Sequence, residues 1–313
     1  MTLKHWKKYL SILGIILFVY ILFKLDFFTI VTEIRNAHLS FLLIAALCLI
    51  VMLIVQTFKW YLIARMQGIT VPFRDAFEIN IISNFYGFVT PSKAGGIIRA
   101  EYLKYYTVDK NIGQGLFNFT IDKILDFIAI IFMTIVFSFI FKDVLAIPVV
   151  LFSSILVFFI LATLFFLSKE RSKFVLLFFY RRLIPSKFRD TAKVTFDSFY
   201  ENVPKKRYFF LFFFLTLCAW TLIYGIFYYI GLSLDIPLPF YYYLAILPIG
   251  TIVGMLPISI SGLGTREATL ISLFALFNVP AAKVFSMSLI NIFLVGILPA
   301  LCGIYYILKR KNT

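Results

Sequence analysis

The chain has 313 residues, of which 62% are hydrophobic and 14% charged, and its mean hydropathy is +0.96. Soluble domains carry about 25% charged residues, so this composition excludes a soluble globular protein and indicates an integral membrane protein. The formal net charge is +15, but the basic residues lie between apolar runs, as in membrane proteins that follow the positive-inside rule, so no nucleic-acid partner is expected.

The chain begins with two predicted membrane spans. A basic segment, 1–8, precedes the apolar run Tyr9–Leu25, which we interpret as a retained first span because no small-residue cleavage site follows it. A short outer loop, 26–38, leads to the second span, Leu39–Phe58. The next residues, Lys59–Tyr61, have the composition of an aromatic and basic anchor at the membrane interface.

A helix break follows in the stretch Asn84–Glu101. Pro91 interrupts an apolar run, Gly95 and Gly96 follow it, and Arg99 opens a second apolar run. Proline and glycine end helices, and neither half of the stretch could cross about 30 Å of hydrocarbon as a helix. The pattern predicts a re-entrant helical hairpin over 76–106 that enters the membrane and turns back at mid-depth.

The third predicted span, Leu116–Phe141, carries charges near its start. Asp122 and Asp126 lie one helical turn apart on the same face, with Lys123 beside them. Charges inside a span are unfavourable and usually face a protein interior or a transport pathway. The alternative is that the span starts later and these charges lie at the interface.

The middle of the chain connects two similar halves. The fourth span is Val144–Leu167, and the basic loop 169–207, with 11 Lys and Arg against four acids, follows it. Two amphipathic stretches in this loop, Phe174–Tyr180 and Val194–Tyr200, are predicted to lie on the inner leaflet. The fifth span is Tyr208–Ile230.

A second break resembles the first. In the stretch Gly250–Glu267, Pro257 interrupts an apolar run and Arg266 opens the next one. The intervening small residues are Ser259, Ser261, Gly262 and Gly264. Counting from the proline, the Arg falls at position eight or nine and the Glu at position ten in both stretches. A second re-entrant hairpin is therefore predicted over 241–277.

The distribution of basic residues predicts the topology. With a last span at Val284–Leu308, both termini and the loop 169–207 fall in the cytoplasm, and 24 of the 30 basic residues lie on that side. The two hairpins then enter the membrane from opposite faces, as an inverted repeat requires. We expect one transmembrane domain, 1–313, with a first half at 1–141 and a second half at 208–313.

The chemistry of the two breaks points to an anion. Glycines let an anionic group approach the backbone, and Arg99 and Arg266 could each hold a phosphate through two parallel hydrogen bonds. Glu101 and Glu267 could neutralise the Arg side chains when the site is empty, while Asp122 and Asp126 could bind a coupling proton. The substrate-binding set is completed by Asn84, Pro91, Gly95, Gly96, Pro257, Ser259, Ser261, Gly262 and Gly264, and Lys123 joins the pathway.

Other readings of the same residues stay open. The glycines could serve only to pack helices closely, and the two stretches could be kinked spans with charges at their ends. An enzyme is disfavoured because no histidine accompanies Ser259 or Ser261, and no metal or cofactor site is expected. A membrane-embedded transferase, an accessory subunit of one, and a small-anion transporter are the alternatives to a lipid translocator.

These motifs resemble the lysylphosphatidylglycerol synthase/flippase transmembrane family. The most specific part is Pro257–Glu267, which resembles that family's proline, Gly-Leu-Gly and Arg-Glu signature. The stretch from Asn84 to Arg99 resembles an earlier motif, and Ile121–Asp126 resembles a third, although Asp122-Lys123 stands where the family commonly has Glu-Arg.

The resemblance implies a bundle with re-entrant helices that translocates lipids, in some members beside a separate synthase domain. The sequence thus predicts an all-α polytopic membrane protein with about six full transmembrane helices and two hairpins related as an inverted repeat. Its expected partners are membrane lipids with anionic headgroups, and the oligomeric state stays open, with a homo-oligomer or a complex with a separate synthase among the possibilities.

Overall fold

The computed structural model describes residues 16–141, 149–175, 189–256, 259 and 262–311. These residues form helices and connecting segments, without a β-strand among them. Within them, five helical stretches are long and apolar enough to cross a membrane: Leu39–Met66, Gly113–Ile140, Val149–Phe166, Tyr208–Ser233 and Ala281–Arg310. The prediction of an all-helical, polytopic membrane protein is confirmed.

The helices are numbered in chain order. The first half contains α1 (16–24), α2 (Phe27–Arg35), α3 (Leu39–Met66), α4 (Phe73–Phe88), α5 (Ile98–Leu103) and α6 (Gly113–Ile140). The middle contains α7 (Val149–Phe166), α8 (169–175) and α9 (Arg189–Phe199). The second half contains α10 (Tyr208–Ser233), α11 (Phe240–Met255), α12 (Thr265–Ala275), α13 (Ala281–Asn291) and α14 (Leu298–Lys311).

Five of the six predicted spans correspond to long helices. Most of the first predicted span, Tyr9–Leu25, lies outside the described residues, which begin with the helix at 16. The outer loop 26–38 is largely helical, because Asp26 accepts a hydrogen bond from the backbone N–H of Phe28 and so caps α2. The stretch Val194–Tyr200 lies almost entirely in α9, whereas residues 176–180 of the other amphipathic stretch lie outside the described residues.

The predicted end of the second span is wrong. Helix α3 does not stop at Phe58 but continues to Met66, and both Lys59 and Trp60 are buried inside the bundle. They are therefore not an interfacial anchor, because an anchor would face the lipid headgroups. Lys59 and the similarly buried Arg99 must also be removed from the basic residues counted on the cytoplasmic side.

The two halves pack against each other in a reciprocal way. Helices α3 and α10 form the most extensive contact between described elements, along the middle of the bundle. Helix α4 of the first half packs on α14 of the second, and α11 of the second half packs on α6 of the first. The helix that precedes each break is thus held by the last long helix of the opposite half.

The first break has a tight internal structure. After Phe88 the chain forms a 3-10 helix, Pro91–Ile97, which folds back on α4 and leads into the short helix α5. The Thr90 hydroxyl accepts a hydrogen bond of 2.7 Å from the backbone N–H of Gly95 and donates one of 2.7 Å to the carbonyl of Tyr86. A Cβ on Gly95 would lie 2.2 Å from that carbonyl oxygen, so the close approach requires glycine.

The second break relies on left-handed glycines. Gly262 and Gly264 have φ values of +80° and +83°, a region that residues with a Cβ rarely adopt. A Cβ on Gly262 would lie 2.9 Å from the Cα of Gly254, so the chain returns in close contact with α11. Pro257 and Ser261, which the sequence singled out, lie outside the described residues.

Candidate functional site

A network of buried charges joins α3 and α6. The Lys59 ammonium lies 2.8 Å from Asp122 Oδ1 and 2.7 Å from Asp126 Oδ1, and its side chain is 1% exposed. Asp122 and Asp126 are both buried inside the protein. Buried carboxylates are retained as ions only when cations compensate the loss of water, and Lys59 supplies such a cation.

Arg99 is the second cation of this network. One guanidinium nitrogen donates a hydrogen bond of 2.9 Å to Asp122 Oδ2, and the residue is 2% exposed. The guanidinium carbon lies 4.9 Å from the ring centroid of Trp60 and 5.6 Å from that of Phe119. These rings stabilise the cation and shield it from solvent. Arg99 can therefore reach an external anion only if Asp122 and the surrounding side chains release it.

Lys123 is the accessible member of the same network. Its ammonium lies 2.9 Å from Asp126 Oδ2 and 3.7 Å from Asp122 Oδ2, and its side chain is 39% exposed. It also lies 5.9 Å from the Phe119 ring centroid, so that ring contacts both Lys123 and Arg99. Lys123 is thus paired with both buried carboxylates while part of its own side chain stays exposed.

The second break has its own polar network, centred on Glu267. Arg266 donates from Nε and from a terminal nitrogen to Glu267 Oε1, at 3.1 and 2.9 Å. The Ser288 hydroxyl of α13 donates to the same oxygen at 2.7 Å, and the backbone N–H of Gly264 donates to Glu267 Oε2 at 2.6 Å. Glu267 therefore fixes the start of α12 and holds Arg266, whose side chain stays 19% exposed.

The two breaks meet inside the bundle. The 3-10 helix of the first break contacts α6 and α11, and Lys93 is an exposed residue of that 3-10 helix. Its ammonium lies within electrostatic range of Lys123, Arg266 and Asp126. Cations from both breaks and from α6 are thus brought together, although they are far apart in the sequence.

Several predicted residues bind other parts of the chain. Asn84 donates a hydrogen bond of 3.2 Å to the side chain of Gln56, and Glu101 pairs with Lys104 rather than with Arg99. The Ser259 hydroxyl lies 2.9 Å from that of Thr265 and so lies at the start of α12. Gly95 and Gly96 are packed against chain atoms, as the close-packing alternative predicted. Pro91 begins the 3-10 helix.

Sequence reasoning missed Lys59 and Lys93 as candidates. Lys59 was assigned to the interface, although the apolar helical pattern of α3 continues past it for two more turns. Lys93 lies between Pro91 and Gly95, inside the motif that was singled out, but an unpaired lysine at that position carries no pattern of its own. The residues that interact with Lys59 and with Lys93 are distant in the sequence, so residue spacing could not predict them.

Helix α6 also lines an apolar cleft. It has a volume of about 310 Å³ and lies between α6, α7 and α10, with Leu125, Ile128, Phe213 and Lys206 among its lining residues. Helix α7 packs mainly on α6, and none of its residues is buried. Such a surface is compatible with hydrocarbon rather than with water.

Comparison with known proteins supports a family relationship. A family model described as the lysylphosphatidylglycerol synthase TM region matches residues 10–303. The chain is also similar to a UPF0104 membrane protein of Methanothermobacter thermautotrophicus, with 26% identity over 285 residues that cover 82% of this chain and 80% of the relative. The match spans both breaks and the charged helix α6.

Proposed function

Because this chain belongs to the lysylphosphatidylglycerol synthase transmembrane family, we propose that it moves an anionic or lipid-linked substrate between the two leaflets of the cell membrane. The observation that carries the proposal is the convergence of cations from the two breaks, where Lys93 lies within electrostatic range of Lys123 and Arg266. Charges are rarely gathered inside a membrane bundle unless they serve a pathway or a ligand.

In this proposal the two broken segments are re-entrant hairpins. Helices α4 and α11 have 16 residues each and are therefore about 24 Å long, shorter than the hydrocarbon core of about 30 Å. Irregular backbone at membrane depth is tolerated where protein buries it or where it lines a cavity, and the packing around Gly95 and Gly262 meets the first condition.

The hairpins are proposed to form an inverted repeat. The reciprocal packing of α4 on α14 and of α11 on α6 supports this arrangement, since a two-fold axis in the membrane plane would exchange those pairs. The site between the hairpins would then be reached from each face in turn. Arg266 and Lys93 would meet the headgroup first, and Arg99 would join only after Asp122 releases it.

The protonation of the acid pair would couple to this exchange. Asp122 and Asp126 hold Lys59, Arg99 and Lys123 in the described conformation. A proton or a cationic headgroup moiety that neutralises one carboxylate would weaken its hold on the cations and make them available to an anion. This assigns the coupling role to the acid pair and the binding role to the basic residues.

A lipid suits the surroundings better than a small soluble anion. The cleft between α6, α7 and α10 is lined almost entirely by apolar side chains, with Lys206 as its one charged lining residue, so acyl chains could lie in it. A carrier for a soluble anion would need no lateral apolar opening. The membrane side follows from charge: both termini and the basic loop 169–207 are assigned to the cytoplasm.

The test is a lipid-exchange assay with the purified protein in liposomes. Fluorescent anionic phospholipids in one leaflet are followed as they become accessible to a membrane-impermeant quencher from the other side. We expect exchange well above that of protein-free liposomes, and a strong reduction in the Arg266→Ala variant. No exchange of any anionic lipid would contradict the proposal. Uptake of labelled phosphate into the liposomes would favour a small-anion carrier, and covalent transfer of a glycosyl or aminoacyl group to a lipid would favour a transferase.

A further inference from the structure

The interior site carries more positive than negative charge. Among the described residues, this region contains five basic side chains, Lys59, Lys93, Arg99, Lys123 and Arg266, and three carboxylates, Asp122, Asp126 and Glu267. If all are ionised, the region has two positive charges in excess. Uncompensated charge inside a membrane bundle is strongly unfavourable, so this excess requires water or an anionic ligand.

The excess is located at Lys93 and its neighbours. Asp122, Asp126 and Glu267 are each bonded to at least one of the other basic side chains. Lys93 is attracted electrostatically by Asp126, but Lys93 takes part in none of the ion pairs among the described residues. The residue is partly exposed, although the 3-10 helix that carries it contacts α4, α6 and α11.

The backbone at Lys93 is also unusual. Its φ is +55°, in the left-handed region that a long side chain rarely adopts. Such strain persists where the surroundings fix it, and it is concentrated at binding sites and switches. Here the strained residue lies in the first break, between Pro91 and Gly95, and within electrostatic range of Arg266.

We propose that Lys93, Lys123 and Arg266 form a binding site for a headgroup that carries two negative charges, and that its ligand is a lipid phosphate monoester. The inference rests on the proposed function and narrows its substrate class. A monoester phosphate carries about −1.5 to −2 charge at neutral pH, whereas the phosphodiester of an ordinary phospholipid carries one negative charge. A dianion therefore compensates the excess that a phosphodiester would leave half uncompensated.

Lys93 is the residue expected to discriminate between a phosphate monoester and a phosphodiester. Lys123 and Arg266 already have carboxylate partners, at 2.9 Å in each case, and they would hold a monoanion with little change. Lys93 supplies the charge that only a dianion needs. Removing it should abolish the preference for the monoester, because the affinity for the dianion should fall further than the affinity for the monoanionic phosphodiester.

The experiment compares the binding of phosphatidic acid, a monoester, with that of phosphatidylglycerol, a phosphodiester, by titration of the detergent-solubilised protein at neutral pH. Wild type should bind phosphatidic acid about tenfold more tightly, the effect expected of one charge-assisted hydrogen bond. Lys93→Asn should lose that preference, since Asn tolerates the left-handed backbone. The matched control is Lys110→Asn, because Lys110 is also exposed with a φ of +48°.

Three results would overturn the inference: equal affinities in wild type, a preference retained in Lys93→Asn, or an equal loss in Lys110→Asn. Inorganic phosphate serves as a further probe, and competition at the same concentration as the lipid would assign the site to soluble phosphate. Because this experiment measures binding, it tests the inference independently of the transport assay. If the wild-type protein prefers phosphatidic acid but transports no anionic lipid, the proposed function alone is contradicted. If it transports phosphatidylglycerol but shows no preference in binding, this inference alone is contradicted.

Discussion

The Lys59 ammonium lies 2.7 Å from Asp126 Oδ1, although 67 residues separate the two in the chain. The bond joins α3 to α6 at a point where both side chains are buried. It belongs to a network in which Asp122 and Asp126 each contact more than one cation. The mutual dependence of these groups is the property that mutation can measure most directly.

Replacing Lys59 by Met should strongly destabilise the protein. The change leaves Asp122 and Asp126 with less compensating charge, and breaking a buried pair typically costs about 3–5 kcal/mol. Thermal unfolding in detergent should show a large fall in melting temperature, whereas Lys24→Met at an exposed position should change little. The double variant Lys59→Met/Asp126→Asn should recover part of the loss, and simple addition of the two single losses would contradict the pairing.

Replacing Arg266 by Lys should impair substrate binding without unfolding the protein. Lysine keeps the charge but cannot bond Glu267 Oε1 through two nitrogens, at 3.1 and 2.9 Å, while also reaching Ser288 at 3.1 Å. We expect roughly a tenfold loss of anionic-lipid affinity, or about 1.4 kcal/mol. The control is the exposed Arg207→Lys, and wild-type affinity in Arg266→Lys would show that the forked geometry is unimportant.

Replacing Gly95 by Ala should lower the yield of folded protein. The new Cβ would lie 2.2 Å from the Tyr86 carbonyl oxygen and 2.7 Å from the Thr90 hydroxyl, so the first break would have to shift. Overpacking of this kind costs about 1–3 kcal/mol. Gly225→Ala is the matched control because nothing lies within 4 Å of its added Cβ, and it should be neutral or slightly stabilising. Equal behaviour of the two variants in size-exclusion yield and melting temperature would argue against the tight turn.

Cysteines placed at Glu201 and Asp235 should be labelled from opposite sides of the membrane. Glu201 lies at the end of the bundle where α3 ends and α10 begins, and Asp235 lies at the other end, where its carboxylate is 3.2 Å from His38 Nε2. In a variant without Cys48, Cys218 and Cys302, a membrane-impermeant maleimide applied to intact cells should react at position 235 and not at position 201. Labelling of both sites from outside would invalidate the assigned topology.

Local patterns were sufficient for the helices and their breaks. Hydropathy over about 20 residues defines a membrane helix, and this measure placed the long helices α3, α6, α7, α10 and α13–α14. A proline followed within a few residues by two glycines favours a helix break, so the breaks near Pro91 and Gly262 could also be predicted, whereas the isolated Pro248 lies within α11. These properties depend on neighbouring residues along the chain and need no knowledge of packing.

The sequence alone therefore determined a helical membrane protein with two broken segments and charges in α6. The tertiary structure decided what those charges bind: Arg99 meets Asp122, Lys59 joins both acids, and Glu101 turns to Lys104. It also brought Lys93 towards Arg266. Partner choice depends on which helices pack together, and the free energy of a buried charge depends on groups within a few ångströms of it in space, whatever their separation along the chain.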